Sequence, residues 1–198
     1  MRAGRRALLT GGPDAVRVEP LALALGVTKG SFYWHFVDRS ALLDALLSEW
    51  EEERSIALAE LPLARGPAAV RALMEFLKPR IAASERGEIP SDAAVFAWAS
   101  TDTTVARRVN AAEVERVALM QELVGDRELG EFLYLTYLGF VMRRRRMPAA
   151  SAFFPTLARL AERVASGAHG ERKRKAAPAS HAEVVDETDR QRTTKRTR

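Results

Sequence analysis

Between Lys29 and Phe36 the chain reads KGSFYWHF, and this run gathers most of its recognition chemistry. Lys29 is a point charge suited to phosphate. Ser31 and His35 can donate and accept hydrogen bonds, while Tyr33 and Trp34 are flat apolar rings with one polar handle each. Gly30, lacking a side chain, lets a partner come close to the backbone. The ingredients of catalysis are sparse by comparison. There is no cysteine, which excludes thiol nucleophiles, disulfides and zinc–thiolate centres. The histidines are His35, His169 and His181, without zinc-ligand spacing, and no Gly-rich phosphate loop or serine nucleophile elbow occurs. No catalytic residue, metal or cofactor is therefore expected.

The elements around this run must present it. Strand-like alternation is almost missing, and Ala, Leu, Arg and Glu favour helices throughout. Arg2 to Thr10 reads as a first helix, stopped by Gly11-Gly12-Pro13. Val18 to Leu25 is a short second helix with Pro20 in its first turn. Gly26 closes it in a position that favours a left-handed residue, and Thr28 caps a third helix reaching about His35. Two short helices joined by the turn Leu25-Gly26-Val27-Thr28 fit a helix-turn-helix, whose second helix enters a DNA major groove N-terminus first. At ~100° per residue, Phe32 and Phe36 share one face, while Gly30, Tyr33 and Trp34 share the other. The rings thus divide into two anchors and an outward face that points to DNA, with Lys29 and the first-turn N–H groups favouring phosphate.

Further along, Asp38 caps a helix striped by Leu42, Leu43, Leu46, Leu47 and Trp50. Pro62, Gly66 and Pro67 break the chain before a helical face of Val70, Leu73, Met74, Leu77 and Ile81, in which Pro79 predicts a kink. After Gly87 to Pro90, Ser91 or Asp92 caps a helix with Val95, Phe96 and Trp98. Thr101 to Val124 reads as one long helix, bent near Asp102. Arg127 to Arg144 is apolar on most sides and must be covered on both flanks, with another subunit expected on one of them. A last amphipathic helix carries Phe153, Leu157, Leu160 and Val164 and ends at Gly167. Met74, Phe76, Phe96, Trp98, Met120, Tyr134 and Tyr137 are candidates to line a ligand cavity near Pro79. Arg143 to Arg146 reads as a solvated basic helix end that complements the helix dipole.

The segment from Gly11 to Trp50 resembles the DNA-binding domain of the tetracycline-repressor (TetR) family. The resemblance rests on Gly26, Val27, Thr28, Lys29, Gly30, Ser31, Phe32, Tyr33, His35 and Phe36. It implies an all-α homodimer that binds a palindromic double-stranded DNA operator, usually as a repressor released by a small-molecule effector. It implies DNA contacts from Thr28, Lys29, Ser31, Tyr33, Trp34 and His35, together with Arg17 and Arg39 at the flanking phosphates. It also implies an effector pocket among the middle helices and a dimer interface made by the last two.

The expected organisation is a helix-turn-helix domain over residues 1–50, a helical effector-binding and dimerisation domain over 51–167, and a disordered basic tail over 168–198. With 198 residues and a formal charge of +5, the chain suits a polyanion partner. No apolar run approaches the ~20 residues that span a bilayer, so a cytoplasmic protein without a membrane partner is expected. One departure from the resemblance stands out. The first helix is short, with Gly4, Arg5 and Arg6 where apolar residues are expected. That predicts a start codon assigned too far downstream, which the in-frame sequence before Met1 decides, or a DNA-binding domain less stable than usual. The alternative function is a helical ligand-binding or interaction protein whose truncated first helix has cost it productive DNA binding.

Overall fold

The computed structural model describes residues 1–60 and 66–176. Among these the fold is all-α, without strands. The helices are α1 (Arg2–Gly11), α2 (Val18–Leu25), α3 (Lys29–His35), α4 (Arg39–Ala59), α5 (Pro67–Glu85), α6 (Asp92–Ala99), α7 (Thr103–Val124), α8 (Arg127–Arg146) and α9 (Phe154–Ala176), with 3-10 turns at Pro13–Ala15 and Pro148–Phe153.

Local chemistry sets the helix ends. Gly26 adopts φ 65°, the left-handed conformation that costs a side-chain-bearing residue steric energy, and closes α2. The Val27 N–H then donates to the Ala22 carbonyl at 3.0 Å. Carboxylates cap the later helices: Asp38 accepts from the Ala41 N–H at 2.7 Å, and Asp126 from the Leu129 N–H at 2.9 Å. Asp102 does more than bend a helix. It is extended and accepts from the Thr104 and Val105 N–H groups, so the expected helix from Thr101 begins at Thr103. The final helix does not end at Gly167 but continues to Ala176. Helix α5 runs through Pro79 without a break in its assignment. Of the tail expected to be disordered over 168–198, residues 168–176 are instead helical, and the rest lies outside the described residues, as does the expected break at Pro62.

Two apolar clusters hold the helices together. In the first, Leu8, Val16, Leu21, Phe32, Leu42, Leu46, Leu47 and Trp50 pack with Val95, Trp98, Val105 and Val109. The helix-turn-helix therefore shares its core with α6 and the first half of α7. The second cluster joins Val70 and Leu73 to Leu129, Leu133, Phe140, Val141, Phe154 and Ala161. Helix α4 belongs to both ends of the molecule: Leu42 and Leu46 lie under the helix-turn-helix, and Arg54 lies about 12 Å further along the axis at 1.5 Å per residue.

Helix α1 packs on its neighbours through Gly4, Arg5 and Arg6. Gly4 is buried, and a Cβ there would sit 3.3 Å from Leu46 Cδ1, so α1 rests its backbone close against α4. The Arg5 side chain pairs with Glu49 and donates to the carbonyls of Gly87 at 3.0 Å and Glu88 at 2.8 Å. Gly87 itself has φ 67°, and a Cβ on it would meet Arg6 Cγ at 2.7 Å. These polar bonds and the close backbone approach add to the apolar contacts that Leu8, Ala3, Ala7 and Leu9 make with the first cluster.

Candidate nucleic-acid interface and an interhelical cavity

Helix α3 is oriented by one buried ring and a side-chain cap. Phe32 is 8% exposed, whereas Tyr33 is 53% and Trp34 83% exposed, and Phe36 is half-buried against the same core. The Thr28 hydroxyl accepts from the Ser31 N–H at 3.1 Å, which satisfies one first-turn donor while the Thr28 O–H remains able to donate. Trp34 stands edge-on to His35 with ring centroids 4.8 Å apart. Thr28, Lys29, Gly30, Ser31 and His35 are all exposed. The expected residues of this helix are thus solvent-exposed, as is Arg17 just before α2.

Two expected phosphate ligands are engaged within the protein. Lys29 pairs with Glu19 across the helix-turn-helix. Their hydrogen bond, reinforced by charge, raises the Lys29 pKa and lowers that of Glu19. Such an exposed pair contributes little stability and can exchange for a phosphate. Arg39, expected at the DNA backbone, instead spends donors on the carbonyls of Val16 at 2.7 Å and Pro13 at 2.6 Å. It secures the turn that precedes α2.

A cavity of about 120 Å³ lies among α4, α5, α7 and α8, beside the start of α6. Of the expected lining residues it contains Met74, Phe76, Met120, Tyr134 and Tyr137. Phe96 and Trp98 are not among its walls. Trp98 is buried in the first apolar cluster, and Phe96 packs edge-on against Trp50 with centroids 6.2 Å apart. The helical spacing of α6 does not distinguish a residue facing that core from one facing the cavity.

The polar groups of the cavity escaped sequence reasoning. Asp92 accepts hydrogen bonds from the Trp50 indole at 2.7 Å, Tyr137 hydroxyl at 2.6 Å and both terminal nitrogens of Arg116 at 2.8 and 3.1 Å. Burial opposes ionisation of Asp92, but the charge of Arg116 and these hydrogen bonds outweigh it and hold the carboxyl below its usual range. Burial, then the neighbouring Asp92 carboxylate, pushes the Tyr137 hydroxyl well up. Tyr134 is raised by burial and by its hydrogen bond to Glu113. The basic run at the end of α8 also turns partly inward. Arg144 is buried and faces Glu85 at 2.9 Å, and Arg145 donates to the Ala93 carbonyl at 3.0 Å. Only Arg143 and Arg146 of the four are exposed, so this is not a wholly solvated helix end. Heptad-like spacing carries no mark of these partners, because Trp50, Asp92, Arg116 and Tyr137 lie on four different helices.

Residues 1–46 match the sequence model of the bacterial regulatory proteins of the tetR family. No curated protein and no solved structure matches the chain. No described helix is long and apolar enough to cross a membrane. The family match and the helix-turn-helix geometry fall on the same residues, so residues 1–46 form a DNA-binding domain like that of the tetR-family regulators, and the chain is a DNA-binding transcriptional regulator.

Proposed function

We propose that the protein is a homodimeric repressor, acting in the cytoplasm, that reads a palindromic operator with α3 and releases it when a small molecule occupies the cavity. The exposed pair Tyr33 and Trp34, beside an inward Phe32, is the observation that carries the DNA-reading part. Gly30, Ser31 and His35 would face base edges or backbone in the groove, and Thr28, Lys29 and Arg17 would face phosphates. A dimer is supported by apolar residues left uncovered on the last two helices: Phe132 and Leu135 on α8 are 51% and 56% exposed, and Leu160 and Val164 on α9 are each 44% exposed.

A route from cavity to DNA is supported by the turn between α5 and α6. Ile89 and Pro90 line the cavity, while Gly87 and Glu88 of the same turn hold Arg5 of α1. An occupant that displaces this turn moves α1, and with it the core beneath α3. The two recognition helices then no longer match successive major grooves about 34–36 Å apart. Selection from random double-stranded oligonucleotides tests the reading. A palindrome should be enriched by the full chain; smooth, salt-sensitive binding without sequence preference would contradict it.

A further inference from the structure

The charge balance of the cavity indicates what its occupant carries. Four guanidinium groups, those of Arg54, Arg80, Arg116 and Arg144, line it against two carboxylates, Glu53 and Asp92. Arg80 is paired with Glu53, Arg116 with Asp92, and Arg144 with Glu85. Arg54 is different. It is 6% exposed, and among the described residues no carboxylate forms an ion pair with it. One terminal nitrogen donates to the Ala112 carbonyl at 2.6 Å, while the Nε is buried without a hydrogen-bond partner. Its guanidinium lies over the Trp50 ring at 4.7 Å, and Arg116 approaches that ring at 5.8 Å. Two cations thus crowd one indole, and only Arg116 has a carboxylate in direct contact; Asp92 and Glu115 act on Arg54 from further off. An arginine stays protonated in such a place, so the missing partner must be supplied or the buried charge remains uncompensated. Burial followed by the repulsion of Arg116 disfavours the charged form of Arg54, and the more distant Asp92 and Glu115 carboxylates offset this only in part.

Resting on the proposal that the cavity is the effector site, we propose that the effector is a compact organic anion, a carboxylate with an aromatic or short aliphatic body. Its charged end pairs with Arg54, whose planar fork matches a carboxylate. Its body lies against Leu73, Met74, Leu77, Met120 and Leu133, which form the apolar side of the cavity. A volume of about 120 Å³ suits a body of roughly one small ring or a short chain, since an apolar cavity of about 150 Å³ accepts benzene.

The test compares benzoate, phenylacetate and hexanoate with their amides and with the corresponding amines, using melting temperature and calorimetry on the full chain at constant ionic strength. The acids should stabilise the protein and the amides and amines should not. Arg54→Met should abolish the response to the acids while melting no lower than the unaltered protein, because it removes an unpaired buried charge. Arg54→Lys, which keeps the charge but loses the fork, should weaken acid binding by roughly tenfold and serves should the methionine variant not fold. Amides that stabilise as well as acids would overturn the anion assignment and leave the effector cavity standing. An acid response unchanged in both Arg54 variants would also overturn it. Silence from every compound of all three classes would overturn both the anion assignment and the cavity's role as an effector site.

Discussion

The face of α3 and the wall of the cavity both carry aromatic and charged side chains, yet they are held in opposite ways. On α3 the recognition groups come from seven consecutive residues, and Trp34, the most prominent, contributes little to the core because it is 83% exposed. In the cavity the groups come from separate helices, and most of the polar ones also tie the fold: Asp92 alone joins α6 to Trp50, Arg116 and Tyr137. A surface built from one short segment can be altered without unfolding the protein. A wall assembled across the bundle cannot, except where a side chain such as Arg54 lacks an ion-pair partner within the described residues.

The largest expected effect is therefore on the cavity side. Asp92→Ala leaves the buried Arg116 guanidinium, the Trp50 indole and the Tyr137 hydroxyl without their acceptor, and should cost about 3–5 kcal/mol of stability in urea unfolding. The same carboxylate sets a pH dependence. Its folded pKa lies below the unfolded value of about 3.9, so its contribution is complete above that value and is lost as the pH falls through the folded pKa. On acidification below about pH 4, the difference in stability between the unaltered protein and Asp92→Ala should shrink; a constant difference would separate Asp92 from the network.

Arg5→Ala probes the contact between the two regions. It removes hydrogen bonds to the Gly87 and Glu88 carbonyls and leaves Glu49 without its guanidinium. A loss of about 2 kcal/mol is expected, with operator affinity reduced and the cavity itself intact. Retained operator affinity would show that α1 does not depend on the α5–α6 turn. Gly26→Ala acts within the helix-turn-helix alone. Placing a Cβ at φ 65° should cost about 1–2 kcal/mol, read as a lower melting temperature. The smallest effect belongs to Lys29→Ala, whose stability should be unchanged because the pair with Glu19 is exposed. Its operator binding should weaken uniformly across sequences, and the salt slope should fall by about one for each recognition helix.

The same contrast governs what could be read from the residues alone. The Gly26 turn, the Thr28 cap and the division of Phe32 from Tyr33 and Trp34 follow from neighbours within ten positions, so local geometry suffices to place them. Met74, Met120 and Tyr137 reach the cavity, but Phe96 and Trp98 turn to the other core, because the side of α6 that meets Trp50 is fixed only by tertiary packing. Arg54 was invisible for the same reason: a charged residue on an amphipathic helix reads as solvated until α7 covers it. Arg5 and Gly4 looked like a deficit in α1 and are instead contacts to Glu49, Gly87, Glu88 and Leu46. Charged and glycine positions are where sequence periodicity says least, since their partners lie on other helices.

The central claim is that the outward rings of α3 read DNA without serving the fold. Operator affinity of Trp34→Ala, measured at fixed salt on protein shown to keep its oligomeric state and melting temperature, tests it most directly. The account predicts a loss of about 10–100-fold with no change in stability. An affinity equal to that of the unaltered protein would contradict it.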